Sequence, residues 1–136
     1  MVTGIGLDIV SIARIRDLYT RHGERLRSDL FSENEWAGLP RTPDAPEGGA
    51  AALTEAQVRY LSMLFAAKEA AFKAIAPPPS LAFDWRDIEI EACHPVQPRL
   101  RGELKAYADT KGIMRLSGGV CTSGRHAAAI IIGETL

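Results

Sequence analysis

"LFAAKEAAFKAI", residues 64–75, decides how the rest of the chain is read. It reads as helix. Upstream, Thr54 and Gln57 have capping-box spacing, and Pro77, Pro78 and Pro79 end the helix abruptly. Phe65, Glu69, Phe72 and Ala76 fall at steps of four, three and four, which is one helical face. Glu69 is thereby flanked by phenylalanines on a stripe that should face the core. An ionised carboxylate drawn out of water is costly unless something compensates it. Lys73, four residues on, is the nearest candidate, and a Glu-to-Lys pair in that order is favourable but weak. From this helix alone, a surface pair at the edge of the stripe and a functional carboxylate are equally good readings.

Working outward, "VTGIGLDIV" alternates as a strand does, with Ile5, Leu7 and Ile9 on one face and Gly4, Gly6, Asp8 and Val10 on the other. Ser11 can cap a helix that carries Ile12, Ile15 and Leu18 and ends near Gly23. A second helical start follows at "FSENEW", where Ser32 and Glu35 form another capping-box pair. Residues 39–53 are rich in Pro, Gly and Ala without a period, which predicts an exposed, mobile loop; too little chain precedes it for a domain boundary.

Beyond the prolines, "FDWRDIEIEA" alternates again, with Ile88, Ile90 and Ala92 opposite Asp87, Glu89 and Glu91. A short strand around "PRLR", a helix over 102–111 stopped by Gly112, and a closing hairpin with its turn near Gly124 complete the chain. The sum is α+β: a small antiparallel sheet packed by helices, within one domain spanning 1–136.

Composition narrows the function classes. With 46% apolar and 24% charged residues the chain resembles an ordinary globular protein, and a formal net charge of -1 argues against a nucleic-acid binder. No apolar run reaches the roughly 18 residues of a membrane span, and the first residues lack a secretory leader, so a cytoplasmic location is expected. Cys93 and Cys121 are too few and too irregular for a disulfide framework or a zinc site, and read as small buried strand residues.

Asp8 sits on the strand face that also carries Gly4 and Gly6, where missing side chains let another backbone or a ligand approach. It can simply help the turn into the next helix. It can also meet Glu69 and share a divalent cation, since two carboxylates completed by water and phosphate oxygens suit Mg²⁺, with lysines nearby to neutralise phosphate.

"GIGLDIVSIARI", "FSENEW", "FAAKEAAFKA", "DIEIEA" and "HAAAIIIGE", in that order, resemble the holo-[acyl-carrier-protein] synthases, the short 4′-phosphopantetheinyl transferases. The likeness covers nearly the whole chain except 39–53. It implies that fold and a homotrimer with active sites between subunits. It further implies transfer of phosphopantetheine from coenzyme A to a serine of an apo acyl carrier protein, releasing 3′,5′-ADP. By position, Asp8 and Glu69 match the family's Mg²⁺ ligands, and Lys73 matches the lysine that approaches the pyrophosphate. Together these three are the implied catalytic residues. Lys68 occupies the adjacent lysine, read with Lys73 as a coenzyme A contact, and Glu35 matches a carboxylate beside the site, although its capping role already explains it. Arg14 matches a carrier-binding position. Between Ser11 and Arg27 five arginines face two acids, an excess of three positive charges, and Arg14 and Arg21, seven apart, share the face best suited to an acidic carrier.

Three positions depart from the family pattern. Leu64 stands where an arginine is common, "APPPS" replaces a Gly-rich turn, and the C-terminal histidine stretch is missing. Arg125 and His126, at the hairpin turn, are the candidate substitutes as coenzyme A contacts. A transferase is therefore weighed against a non-catalytic or redirected relative that binds a carrier protein or another pantetheine or phosphate ligand.

Overall fold

The computed structural model describes residues 1–41, 43, 52–91 and 94–136. Helix α4, Glu55–Ile75, is the axis of the molecule. The Thr54 and Gln57 side chains satisfy each other's backbone donors at its start, and Ala76 closes it in the left-handed region at φ 51° before the prolines. Strand β1, Val2–Ser11, lies against it. A Cβ on Gly6 would sit 1.8 Å from the Ala70 carbonyl oxygen, and one on Gly4 2.0 Å from that of Ala74. The glycines thus let β1 reach the helix backbone, and the buried alanines Ala66, Ala67, Ala70 and Ala74 return the courtesy from α4.

β1 pairs antiparallel with β5, His126–Glu134, which pairs in turn with β4, Arg115–Thr122, giving the order β1-β5-β4. A second antiparallel pair, β2 (Ile88–Glu91) and β3 (Gln97–Leu100), joins the first sheet through a bridge between Val96 and Gly118. Helix α1, Ile12–His22, is capped by Ser11, whose Oγ accepts from the Arg14 amide, and it stops at Gly23 with φ 46°. It buries Ile12 and Ile15. Helices α3 (Glu33–Ala37) and α5 (Gly102–Thr110) stand where the caps and Gly112 predict. The α+β class and the antiparallel packing therefore agree with the sequence reading, with two small sheets in place of one.

Four local expectations change. A helix α2, Glu24–Leu30, follows Gly23 directly; it buries no residue fully, so no apolar stripe announces it. Glu89, expected on the outer face of β2, is buried because Asn34 of α3 and Arg101 cover that face, both donating to its Oε1. Cys121 is exposed rather than buried, and Cys93 lies outside the described residues. The 39–53 loop also lies mostly outside them, though its ends are anchored: Leu39 and Leu53 pack on the core, and Gln57 Nε2 donates to the Pro40 carbonyl.

Candidate active site

The half of β1 before α1 and the last turns of α4 run side by side, and this brings Asp8 next to Lys73 and Glu69. Lys73 Nζ donates to Asp8 Oδ1 at 2.9 Å and to the Leu7 carbonyl at 3.0 Å. The partner expected for Lys73 was Glu69, one turn away; the observed partner is Asp8. The helix periodicity could not reveal this, because Asp8 arrives from a strand 65 residues away in sequence.

Glu69 is half-buried, and among the described residues its carboxylate makes no hydrogen bond or ion pair. Burial pushes its carboxyl above the ordinary 4.5, the Asp8 charge pushes it further, and Lys73 and Arg14 pull the other way. The Asp8 carboxylate is thus near enough for its charge to act on Glu69. The hard oxygen donors of the two carboxylates suit Mg²⁺, which takes few protein ligands and leaves positions for water and phosphate. The described residues contain no group of three or more metal-ligating side chains, so a closed zinc-type cage is not formed among them.

The phenylalanines that flank Glu69 are only half-buried, so its stripe is the shoulder of α4 and not its deepest face. Phe72 stacks on Phe83 with centroids 4.9 Å apart, and Trp85 meets Phe72 at 5.6 Å and Phe65 at 6.5 Å. Phe83 and Trp85, unassigned in the sequence reading, come from the segment after the prolines and build an apolar wall beside the carboxylate. Such a wall raises the cost of leaving Glu69 charged and unpaired.

The fully buried charge on α4 is Lys68. Its Nζ is paired with Glu35 Oε1 at 2.7 Å and donates to the carbonyls of Trp85, at 3.0 Å, and of Ile88. All three ammonium donors are used, none is left for a phosphate, and the side chain is 0% exposed. This corrects the assignment of Lys68 to coenzyme A. Glu35 is equally saturated: besides Lys68, its oxygens accept from the amides of Ser32 and Ile90, both at 2.9 Å. The pair therefore ties α3, α4 and β2 together as part of the frame.

Arg14 lies on the exposed side of α1 and close enough to Glu69 to act on its charge, and Arg21 is exposed one face-repeat further on. Arg16 forms an ion pair with Glu55, fastening α1 to the start of α4. Arg125 and His126 are exposed at the β4–β5 turn; the Arg125 carbonyl accepts from the Ile12 amide, and His126 is in register with Ser11, three residues along the ladder from the Asp8–Ala129 pair. They border α1, and neither forms a hydrogen bond or ion pair with Asp8 or Glu69. Leu64 is buried and lines an apolar cavity of about 380 Å³ with Tyr60, Met63, Ile90, Val96 and Val120, so it serves packing.

A family model described as the 4′-phosphopantetheinyl transferase superfamily matches residues 4–130. A holo-[acyl-carrier-protein] synthase of Alkalilimnicola ehrlichii is 31% identical over 137 residues, covering 99% of this chain and 98% of its own. One of Escherichia coli is 33% identical over 136 residues, with 98% of each chain covered. The crystal structure of the Neisseria meningitidis holo-[acyl-carrier-protein] synthase superposes with a TM-score of 0.79 at 26% identity, covering 99% of this chain and 100% of that one. The Helicobacter pylori enzyme, solved in complex with coenzyme A, shares the fold at a TM-score of 0.72, with 24% identity and coverage of 96% and 99%. With the family model matching residues 4–130 and relatives 31% and 33% identical along nearly the full length, the chain belongs to the 4′-phosphopantetheinyl transferase superfamily, among the holo-[acyl-carrier-protein] synthases.

Proposed function

We propose that this enzyme moves 4′-phosphopantetheine from coenzyme A to a serine of an apo acyl carrier protein, releasing 3′,5′-ADP, in the cleft between β1 and α4. The reading is supported by the Asp8–Lys73 contact that joins β1 to α4, and by the charges of both reaching Glu69, in a chain whose relatives are named for this activity. The carrier serine Oγ would attack the phosphorus that bears the pantetheine. The bond from that phosphorus to the 3′,5′-ADP oxygen breaks, the serine proton is lost, and a phosphodiester to the carrier remains. Asp8 and Glu69 would hold Mg²⁺, which when bound neutralises the diphosphate and eases departure of the nucleotide phosphate. Lys73, half-exposed at the end of its helix, would bind the same diphosphate. Positioning and charge neutralisation would supply most of the acceleration.

Arg14 and Arg21 on α1 would receive the acidic carrier, and Arg125 with His126 would contact coenzyme A phosphate from the neighbouring turn. Ile5, Leu7 and Ile9 are 57%, 62% and 69% exposed on the side of β1 away from α4, and Ile130 adjoins them on β5. An uncovered apolar sheet face of this kind supports the homotrimer, which would bury it. A cytoplasmic site of action fits a carrier-protein substrate; among the described residues no helix is long and apolar enough to cross a membrane.

A second reading, a relative that binds without transferring, is favoured by the nucleotide side: Leu64 is packed away, and Pro77–Pro79 offer no backbone donors. Incubation with coenzyme A, Mg²⁺ and apo carrier proteins, read by mass spectrometry, separates the two. Addition of one phosphopantetheine is expected, with the rate falling about 100-fold or more in Asp8→Ala and Glu69→Ala. Saturable carrier binding without any addition would select the second reading. Addition at the normal rate in both variants would remove the site assignment.

A further inference from the structure

The cleft is not electrostatically vacant. Lys73 Nζ holds Asp8 Oδ1 at 2.9 Å and the Leu7 carbonyl at 3.0 Å, while Glu69, the other carboxylate of the pair, has no hydrogen-bond or ion-pair partner among the described residues. Asp8 is the more buried member of its pair, 16% exposed against 49% for Lys73. The aspartate is thus the enclosed member of the pair, and the lysine is the one that solvent and an incoming anion can reach.

We propose that Lys73 is a resident counter-cation of the Asp8–Glu69 site, handed from Asp8 to the incoming diphosphate, so that divalent cation and coenzyme A bind as a coupled pair. This rests on the reading of Asp8 and Glu69 as cation ligands. A cation that arrives alone meets an ammonium hydrogen-bonded to one of its two protein ligands. Binding would then strip Lys73 of its carboxylate partner and leave two like charges beside each other. A cation that arrives with a diphosphate offers Lys73 phosphate oxygens as new acceptors, and charge-assisted bonds to phosphate are at least as strong as the exposed pair given up. The long stem lets the ammonium swing while the helix backbone stays put. Arg14 adds positive charge near Glu69 from α1, but among the described residues no hydrogen bond holds its side chain to either carboxylate. Because coupling is reciprocal, coenzyme A must tighten the cation by the same factor as the cation tightens coenzyme A.

The test uses Mn²⁺ as probe on the full chain, followed by electron paramagnetic resonance and calorimetry, with and without coenzyme A and without any carrier protein. In the wild type, coenzyme A is expected to tighten Mn²⁺ by about tenfold or more. Lys73→Met should bind Mn²⁺ alone about tenfold more tightly than the wild type and lose most of that coupling. Lys73→Gln should behave likewise, and Lys73→Arg should keep the coupling. If Lys73→Met and Lys73→Gln bind Mn²⁺ no better than the wild type while Asp8→Asn abolishes binding, the handover is overturned and the cation site survives. If Asp8→Asn and Glu69→Gln leave Mn²⁺ binding unchanged, the site reading falls first and takes the handover with it.

Discussion

Helix α4 carries two lysines five residues apart, each bound to a carboxylate from another element, and they do different jobs. Lys68 and Glu35 are both 0% exposed, and every donor of the lysine is spent within the protein. Lys73 is 49% exposed, and its partner Asp8 lies near a second carboxylate, Glu69, that has no hydrogen-bond or ion-pair partner among the described residues. The contrast teaches that a buried charge is not by itself a sign of function. What marks the working pair is availability: a side chain that can let go, next to a group that still needs a counter-charge.

The sharpest way to break this contrast is to remove each ammonium in turn. Lys68→Met leaves Glu35 charged, buried and short of its cation, and should lower unfolding stability in urea by about 3–5 kcal/mol. Adding Glu35→Gln should recover part of that, since it removes the stranded charge while keeping an acceptor for one of the two amides. Lys73→Met should change stability by about 1 kcal/mol or less, as an exposed pair does, while abolishing most phosphopantetheine transfer. Reversed magnitudes would exchange the roles of the two pairs.

Next in size is the strand–helix contact that places Asp8. Gly6→Ala would drive a Cβ into the Ala70 carbonyl at 1.8 Å, where both sides are backbone and neither can yield cheaply. A loss of about 1–3 kcal/mol is expected, together with reduced transfer, because β1 must move and Asp8 moves with it. Gly124→Ala in the β4–β5 turn, with nothing within 4 Å of the added methyl, is the control and should stay within about 0.5 kcal/mol of the wild type.

Much of this frame can be read from the sequence because its signals are local. Ser11 with Gly23, Ser32 with Glu35, Thr54 with Gln57, and Pro77 mark helix ends through interactions spanning only a few residues. The alternation of β1 likewise puts Gly6, Asp8 and Val10 on one side. The site is only suggested by the residues themselves, through the glycine-bearing face of Asp8 and the stripe of Glu69, and family likeness adds the rest, since no spacing rule brings residue 8 to residues 69 and 73. What stays hidden depends on how many sides of an element are covered. Helical periodicity marks Glu69's stripe as the inner one, yet α4 is clasped by the sheet on one side and by α3 and β2 on another, and that second cover buries Lys68. The alternation of β2 assumes a wet outer face, and α3 with Arg101 closes it over Glu89.

Glu89 gives a smaller, pH-dependent test of the frame. The Ser32 hydroxyl, followed by the Asn34 amide and the Arg101 charge, holds its carboxyl below the ordinary 4.5 despite burial. A depressed carboxylate contributes stability that is fully present above that ordinary value and is lost as pH falls through the folded one. Glu89→Gln should therefore be about 1 kcal/mol less stable than the wild type near neutral pH. The gap should narrow below pH 4.5 in urea titrations. A gap independent of pH would mean that shape, and not charge, makes the contact.

The smallest effect separates the end of α4 from the lysine it carries. Ala76 adopts φ 51°, a conformation that costs a residue with a Cβ about 1–2 kcal/mol and glycine almost nothing. Its carbonyl accepts from the Tyr107 hydroxyl at 3.4 Å, and Pro77 follows directly, so the backbone there is already committed. Ala76→Gly relieves the steric cost but loosens the unfolded chain, which takes back about 0.4–1 kcal/mol. A net gain of about 0.5–1 kcal/mol, a rise of a few degrees in melting temperature, is the expected balance. Transfer should not change, because Lys73 lies three residues inside the helix and its hold on Asp8 does not pass through the cap. A variant that melts higher but transfers more slowly would mean that the strained terminus helps to aim Lys73, and the working pair would then extend to the end of its helix.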